Sequence, residues 1–522
     1  MTRPNILFIM TDQQRFDTIA ALGNERIYTP NMDRLVRRGV SFTQGYSTCP
    51  VCVAARTTIR TGCDPPTTRV FSNGRSAPVP GQADTLEGRC GDYLARTLSA
   101  AGYRTFGVGK FHTFPWNEDV GYASQLHSEE LYGSEEQRRG DTYAGWIARE
   151  HPDFDYIEAL MGERTEMYYM PQASPLPAHL TVESWAADRA IEALSASDDR
   201  PYFGFVSFIG PHPPFAPPVP FNRIYDPDRM PGPVCGDQDV DHLDEQIPFM
   251  NRIIWADEIN DALTRVLKAR YYGEITYIDD CLGRILDAVE AREDADNTII
   301  CFFSDHGDHL GDHTAWQKES FFDVSARVPF LVSWPDRLPR DVRRDDLVCL
   351  TDLFAIATHA AGWTQVRDGV DVLGVLDGGA APRETLFGYY GEPGTDRFKI
   401  MVRSGEWKYI YLANGARVQL FNTAEDPAEV TNRAASDRDV ADDLYRRGVQ
   451  ACGHPGATDA LDGDRLRSFP YTKWKASRIY QFDRSRGVRG FPVHPRDVLD
   501  PWIRRGRRQV RIRRNEKAQE TP

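Results

Sequence analysis

Cys52 and Arg56 lie four residues apart in the run Cys52-Val53-Ala54-Ala55-Arg56-Thr57-Thr58-Ile59-Arg60-Thr61-Gly62. Read as a helix beginning near Cys52, the run puts a thiol and a guanidinium on one face. The helix N-terminus adds backbone N–H groups and a positive dipole end, both suited to an anionic ester. A buried cysteine on an ordinary helix is the plainer alternative for this stretch taken alone. Asp12, Asp305 and His306 supply two carboxylates and an imidazole, each after an apolar run. Such an oxygen-rich set suits Ca²⁺, Mg²⁺ or Mn²⁺. Lys110 and His112 stand two apart in an extended segment and so point the same way. His212 adds another imidazole, a side chain that titrates near neutrality. A zinc site of His306, His309 and His313 is the rival use of the histidines. Gly307 and Gly311 mark that stretch as a loop, and a zinc site there leaves Asp12 unexplained.

The elements that must position these residues alternate between apolar runs and helical patterns as far as about residue 380. That order is expected of a large, mostly parallel sheet sandwiched by helices, an α/β fold. Strands are predicted at residues 5–11, 103–108, 202–208, 298–303 and 329–333. Helices are predicted at 32–38, 92–101, 182–194, 269–291 and 352–361. Chemistry in such folds collects at the carboxyl edge of the sheet. Asp12, Lys110 with His112, His212, and Asp305 with His306 each follow one of these strands. A proline-rich loop at 211–233 reads as a wall over the site. Beyond Gly379 the pattern changes to short strands, at 398–403 and 407–411, and a helix near 437–450. The expected division is therefore a catalytic α/β domain at 1–380, a smaller α+β subdomain at 381–460, and an extension at 461–522. There is no internal repeat.

The run at Cys52 resembles the modification signature of type I sulfatases, members of the alkaline phosphatase superfamily. Ala54 stands where that signature usually has proline. The resemblance implies that Cys52 is oxidised to formylglycine by a maturation enzyme. It implies further that the hydrated aldehyde, a geminal diol, uses one hydroxyl to attack sulfur or phosphorus and the other to expel the product. Asn5-Ile6-Leu7-Phe8-Ile9-Met10-Thr11-Asp12-Gln13 and Ser304-Asp305-His306-Gly307-Asp308-His309 resemble the family's two metal segments. By that carry-over Asp12, Gln13, Asp305, His306 and the residue-52 side chain hold one divalent ion, with Ca²⁺ expected first and Mn²⁺ or Mg²⁺ as alternatives. Gln13 and His306 replace a common aspartate and asparagine, which makes the site less anionic and richer in nitrogen. Gly109-Lys110-Phe111-His112, Gly210-Pro211-His212-Pro213-Pro214-Phe215 and Trp316-Gln317-Lys318-Glu319-Ser320-Phe321-Phe322 resemble the segments carrying the family's lysines and histidines. The resemblance gives Lys110 and His112 contact with the ester and the formylglycine hydroxyls. It gives His212 and Lys318 the leaving oxygen, and His112 the proton removed when the aldehyde is regenerated.

Two reactions compete within this resemblance. Lys110 and His112 look like sulfatases and favour sulfate monoesters. The approach Thr48-Cys49-Pro50-Val51-Cys52 and the pair Asp12-Gln13 look like phosphonate monoester hydrolases, which also take phosphate diesters. A non-catalytic binding protein on the same scaffold would have lost the nucleophile, a metal carboxylate or the lysines; none is missing.

Composition bounds the rest. The 522 residues carry 62 Lys plus Arg against 76 Asp plus Glu, a net charge of −14, which argues against nucleic-acid or membrane-surface partners. The first apolar run, residues 6–10, is too short for a signal-peptide core, so a cytoplasmic location is expected, with the nine cysteines as thiols. Cys49 and Cys52 form a Cys-x-x-Cys pair, alone compatible with a redox site, but no second pair exists for a zinc site. Seven arginines crowd residues 504–514, where Val510 and Ile512 alternate with Arg511 and Arg513. The stretch reads as an arm at about 480–515 docking on an acidic surface of a neighbouring subunit, giving a homo-oligomer, most simply a dimer.

Overall fold

The computed structural model describes residues 3–74, 85–129, 135–154, 169–236 and 243–476. The arginine-rich arm expected at 480–515 lies outside these residues. Eight strands form the main sheet: β1 (Asn5–Thr11), β2 (Val40–Tyr46), β3 (Arg104–Gly109), β4 (Ser124–His127), β5 (Tyr202–Ser207), β6 (Thr298–Ser304), β7 (Phe330–Ser333) and β8 (Val342–Cys349). Their spatial order is β4-β3-β5-β1-β6-β7-β2-β8. Only β7 runs against its neighbours; every other pairing in this sheet is parallel.

β1 and β6 are buried along their whole length, as strands covered on both faces must be, and this explains their unbroken apolar composition. Alternate residues feed the two cores. Leu7 and Ile9 pack with the helices Val182–Leu194 and Asp261–Glu290 on one face. Ile6, Phe8 and Met10 pack with Leu94–Ala100 and Asp352–Ala360 on the other. Four consecutive strands, β3-β5-β1-β6, are the ones whose carboxyl ends carry Lys110, His212, Asp12 and Asp305.

Three strands of the sheet lack a clear signal in the sequence, and all lie toward its margins. β4 is short and half-exposed. β8 begins with the charged run Arg343-Arg344-Asp345-Asp346, alternately exposed at the sheet edge. β2 contains Thr43 and Gln44, partly exposed, and its pairing with β8 shifts register between Phe42 and Gln44. The helix expected at 269–291 begins eight residues earlier, at Asp261, where the Asn260 side chain caps it by accepting from Leu263 N.

A second, antiparallel sheet, β9 (Thr385–Tyr390), β10 (Lys399–Ser404), β11 (Trp407–Leu412) and β12 (Arg417–Asn422), follows in the order β12-β11-β10-β9. The helix Arg438–Ala451 packs Ala441 and Leu444 against Ile400, Val402 and Tyr409 of this sheet. Leu466 and Phe469 join the same core. Among the described residues no helix is long and apolar enough to cross a membrane.

Candidate active site

Cys52 opens the helix Cys52–Thr61, and Val51 before it is extended, so the residue sits at the positive end of the helix. Its Sγ lies 3.2 Å from His306 Nε2 and 3.7 Å from Asp12 Oδ1, and accepts a hydrogen bond from Lys318 Nζ at 3.2 Å. Asp12, Cys52, Asp305 and His306 offer ligand atoms all within 4.8 Å of one another, and all four are buried. The imidazole is turned by its far nitrogen: Nδ1 donates to Gly307 O at 3.0 Å, which leaves Nε2 facing the carboxylates. Such an outer bond is how ligating histidines are oriented.

Arg56, one turn after Cys52, ties these groups together. It donates from Nη2 to Asp12 Oδ2 at 2.8 Å, from Nε to Asp305 Oδ2 at 3.1 Å and from Nη1 to Ser207 Oγ at 2.8 Å. Its Nη1 also bonds the Lys110 carbonyl. Lys110 Nζ reaches Asp12 Oδ2 at 2.6 Å. Lys318 Nζ donates to Gln13 Oε1 at 2.7 Å as well as to Cys52.

These cations set the protonation of the cluster. Burial alone would push the Asp12 carboxyl up, but Lys110, Arg56, His212 and Lys318 hold it well below the usual range. For the Cys52 thiol, burial and Asp12 act upward, yet Lys110, Lys318 and His306 draw it well below its ordinary value. Burial and the Asp12 charge leave Asp305 raised. Burial acts downward on His306, but Asp305 and Cys52 together leave it raised.

His212 is buried, and its Nδ1 donates to Pro213 O at 2.8 Å. His112 takes a left-handed conformation, φ 52°, and its backbone N–H donates to Glu129 Oε1 at 3.0 Å, beside that of Phe111 at 3.2 Å. The buried Nδ1 of His112 has no hydrogen-bond partner among the described residues. The histidines of the rival zinc site are used elsewhere: His309 Nε2 meets Ser320 Oγ at 2.7 Å, and His313 stacks on Phe322 with ring centroids 3.8 Å apart. Three contributors went unassigned in the sequence. Ser207 ends β5 on Arg56, Glu129 lies beyond β4, and Asp308 sits inside the Ser304–His309 phrase two residues after His306. Only Asp308 had a motif around it.

A mostly parallel sheet with a buried carboxylate, imidazole and thiol cluster at its carboxyl edge, flanked by lysines and an arginine, is the arrangement of a hydrolase of the alkaline phosphatase superfamily. Within it, the chain belongs to the sulfatase family, whose profile, "Sulfatase", matches residues 4–363. A profile described as "N-sulphoglucosamine sulphohydrolase, C-terminal" matches residues 311–447. An arylsulfatase of Clostridium perfringens is 29% identical over 499 residues, covering 91% of this chain and 100% of its own length. A choline-sulfatase of Rhizobium meliloti is 30% identical over 468 residues, 84% of either chain. Among solved structures, the phosphonate monoester hydrolase of Agrobacterium radiobacter superposes with a TM-score of 0.73 at 25% identity, over 87% of this chain and 96% of that one. The protein is a sulfuric ester hydrolase.

Proposed function

We propose that this enzyme hydrolyses sulfate monoesters through a formylglycine made from Cys52 by a maturation enzyme, with one divalent ion held by Asp12, Gln13, Asp305, His306 and the residue-52 side chain. The observation that carries the reading is the position of Cys52 Sγ at a helix N-terminus between His306, Asp12 and Lys318. That sulfur marks where the oxygens of the modified side chain would sit. The donor set fits a divalent ion: two carboxylates, an inward-turned imidazole nitrogen and an amide oxygen, with Ca²⁺ favoured by the oxygen count and Mn²⁺ or Mg²⁺ as alternatives. When bound, such an ion polarises the ester oxygens and makes the residue-52 hydroxyl a better nucleophile.

The chain's own residues supply the remainder. Three fixed cations surround residue 52: Arg56 bonds Asp12 and Asp305, Lys110 bonds Asp12, and Lys318 bonds Gln13 and Cys52, so the pocket draws an anionic ester toward the nucleophile. Lys318 is placed to neutralise the leaving oxygen and His212 to protonate it from Nε2. Lys110 and His112 flank the transferring oxygens. The Glu129 clamp fixes the His112 backbone, and its unpartnered Nδ1 is free to accept the proton whose removal regenerates the aldehyde. Cys52→Ala is expected to reduce turnover of a nitrophenyl sulfate to a residual rate without unfolding the protein, and intact mass reports the exchange of thiol for aldehyde. A near-wild-type rate for Cys52→Ala ends this reading.

The second reading, a phosphonate monoester hydrolase or phosphodiesterase, is favoured by the Asp12-Gln13 pair and by the structural likeness to the Agrobacterium enzyme. Sulfate monoesters, phosphonate monoesters and phosphate diesters each carry one negative charge, so charge alone does not separate them. The preference for sulfate rests on Lys110 and His112. The specificity constant kcat/KM is expected to be highest for sulfate when all three ester types share one nitrophenyl leaving group. A phosphonate or diester advantage of orders of magnitude reverses the order of the two readings.

A further inference from the structure

Gln13 ends β1 in a left-handed conformation, φ 71°, held by its backbone: N donates to Asp305 Oδ1 at 3.0 Å and O accepts from Tyr271 Oη at 2.7 Å. The side chain then lies between two groups of fixed hydrogen-bonding character. On one side is Lys318 Nζ, a donor only, 2.7 Å from Gln13 Oε1. On the other is Asp308 Oδ2, which accepts from Gln13 Nε2 at 2.5 Å. Both Asp308 oxygens accept, from Gln13, Tyr169 and Leu310, whereas an ammonium donates only. A carboxamide bridging them has one orientation, with nitrogen toward Asp308 and oxygen toward Lys318, the lysine that also bonds Cys52. Rotating the amide end for end would set donor against donor and acceptor against acceptor.

Asp308 is itself braced. Its Oδ2 accepts from Tyr169 Oη at 2.6 Å and its Oδ1 from Leu310 N at 2.7 Å. The Tyr169 hydroxyl accepts in turn from Gln317 N at 2.9 Å, next to Lys318. All four side chains, Gln13, Tyr169, Asp308 and Lys318, are buried.

We propose that Asp308, braced by Tyr169, is a positioning residue that fixes the Gln13 carboxamide with its oxygen toward the ion site and Lys318. This rests on the reading above in one respect, that Gln13 is a ligand of the divalent ion. It accounts for how a neutral glutamine serves at a position that often carries an aspartate in this family. A carboxylate presents oxygen whichever way it turns, whereas an amide must be oriented, and Asp308 orients it.

The test is a four-variant cycle on the full-length protein, reading Ca²⁺ affinity by competition with a chelating dye alongside kcat/KM. In the Gln13 background, Asp308→Asn removes an acceptor: one amide oxygen cannot serve both Leu310 N and the Gln13 and Tyr169 donors. Ca²⁺ binding is expected to weaken about tenfold. In a Gln13→Glu background the sign reverses, because Asp308 then faces a carboxylate, and Asp308→Asn is expected to strengthen binding. A residue that only supported the fold would weaken binding in both backgrounds. Tyr169→Phe, which removes the brace alone, is expected to lower Ca²⁺ affinity by about threefold; should Asp308→Asn fail to fold, an unchanged affinity in Tyr169→Phe overturns the proposal. Unchanged affinity in Asp308→Asn, or the same sign in both backgrounds, overturns it too. If Gln13→Ala also binds Ca²⁺ as the wild type does, the ligand assignment itself fails. If Gln13→Ala binds weakly while Asp308→Asn binds normally, only the proposal fails.

Discussion

Arg56 contributes more to this site than its place one turn from Cys52 implies. Its guanidinium is almost fully buried and donates to both carboxylates of the buried cluster, Asp12 and Asp305. Lysine could not reproduce these contacts, because a point charge cannot fork between two acids and a serine hydroxyl. Arg56→Met leaves Asp305 without its guanidinium and Asp12 bonded to Lys110, and is expected to lower stability by about 3–5 kcal/mol in ion-free protein. Urea unfolding with and without Ca²⁺ checks this. The deficit is expected to shrink with the ion, which brings positive charge to the same acids; a variant as stable as wild type without Ca²⁺ contradicts the role. The site residues that were legible in the sequence share a cause. Cys52, Asp12, Lys110, His212 and Asp305 sit in local phrases or directly after apolar strands, where position in the chain determines position in space. Tyr169 and Glu129 come from connecting segments whose side chains meet the site only through tertiary packing, and no local pattern marks them.

At the scale of elements, β1 and β6 could be read because burial on both faces demands apolar runs, whereas the edge strands β4 and β8 carry polar and charged residues for the opposite reason, and β2, internal and mostly buried, is interrupted by Thr43 and Gln44. The junction between the two sheets depends on charge as well as apolar packing. Lys408 on β11 is completely buried between Asp323 and Glu429, donating to both Asp323 and the Phe321 carbonyl. Burial acts upward on Asp323, but Lys408 and Arg327 hold it down at about 2, while burial leaves Glu429 raised. Asp323 opens a short helix at the end of the loop that carries Lys318, so the lysine fastens the second sheet to that loop. Lys408→Met removes the only buried ammonium bonded to these acids among the described residues. It is expected to cost about 3–5 kcal/mol, read as a lower urea midpoint. Lys408→Met with an unchanged midpoint would show that apolar packing alone holds the junction.

Across the whole molecule, the segment 470–475 acts as a strap from the second sheet back to Glu245 and the helix that follows it. Tyr471 Oη and Trp474 N donate to Glu245 at 2.9 and 3.2 Å, and Arg252 Nη2 donates to Trp474 O at 3.0 Å. Trp474 meets Phe249 edge to face, with Arg397 over both rings. The strapped helix, Gln246–Ile253, bonds through Gln246 to the carboxylate of Glu319, the neighbour of Lys318. Loss of the strap therefore reaches the site through Lys318, and a shift on the order of 1 Å in a catalytic group costs up to about a hundredfold. Truncation after Pro470 is expected to lower kcat/KM by about tenfold, whereas truncation after Lys475 keeps the strap and the rate. The second truncation also removes the arginines at 504–514, the proposed inter-subunit arm of an otherwise acidic chain. Light scattering of that truncated protein is expected to move toward the monomer mass while activity persists. An unchanged oligomer, or a monomeric full-length protein, refutes the arm; equal activity in the two truncations refutes the strap.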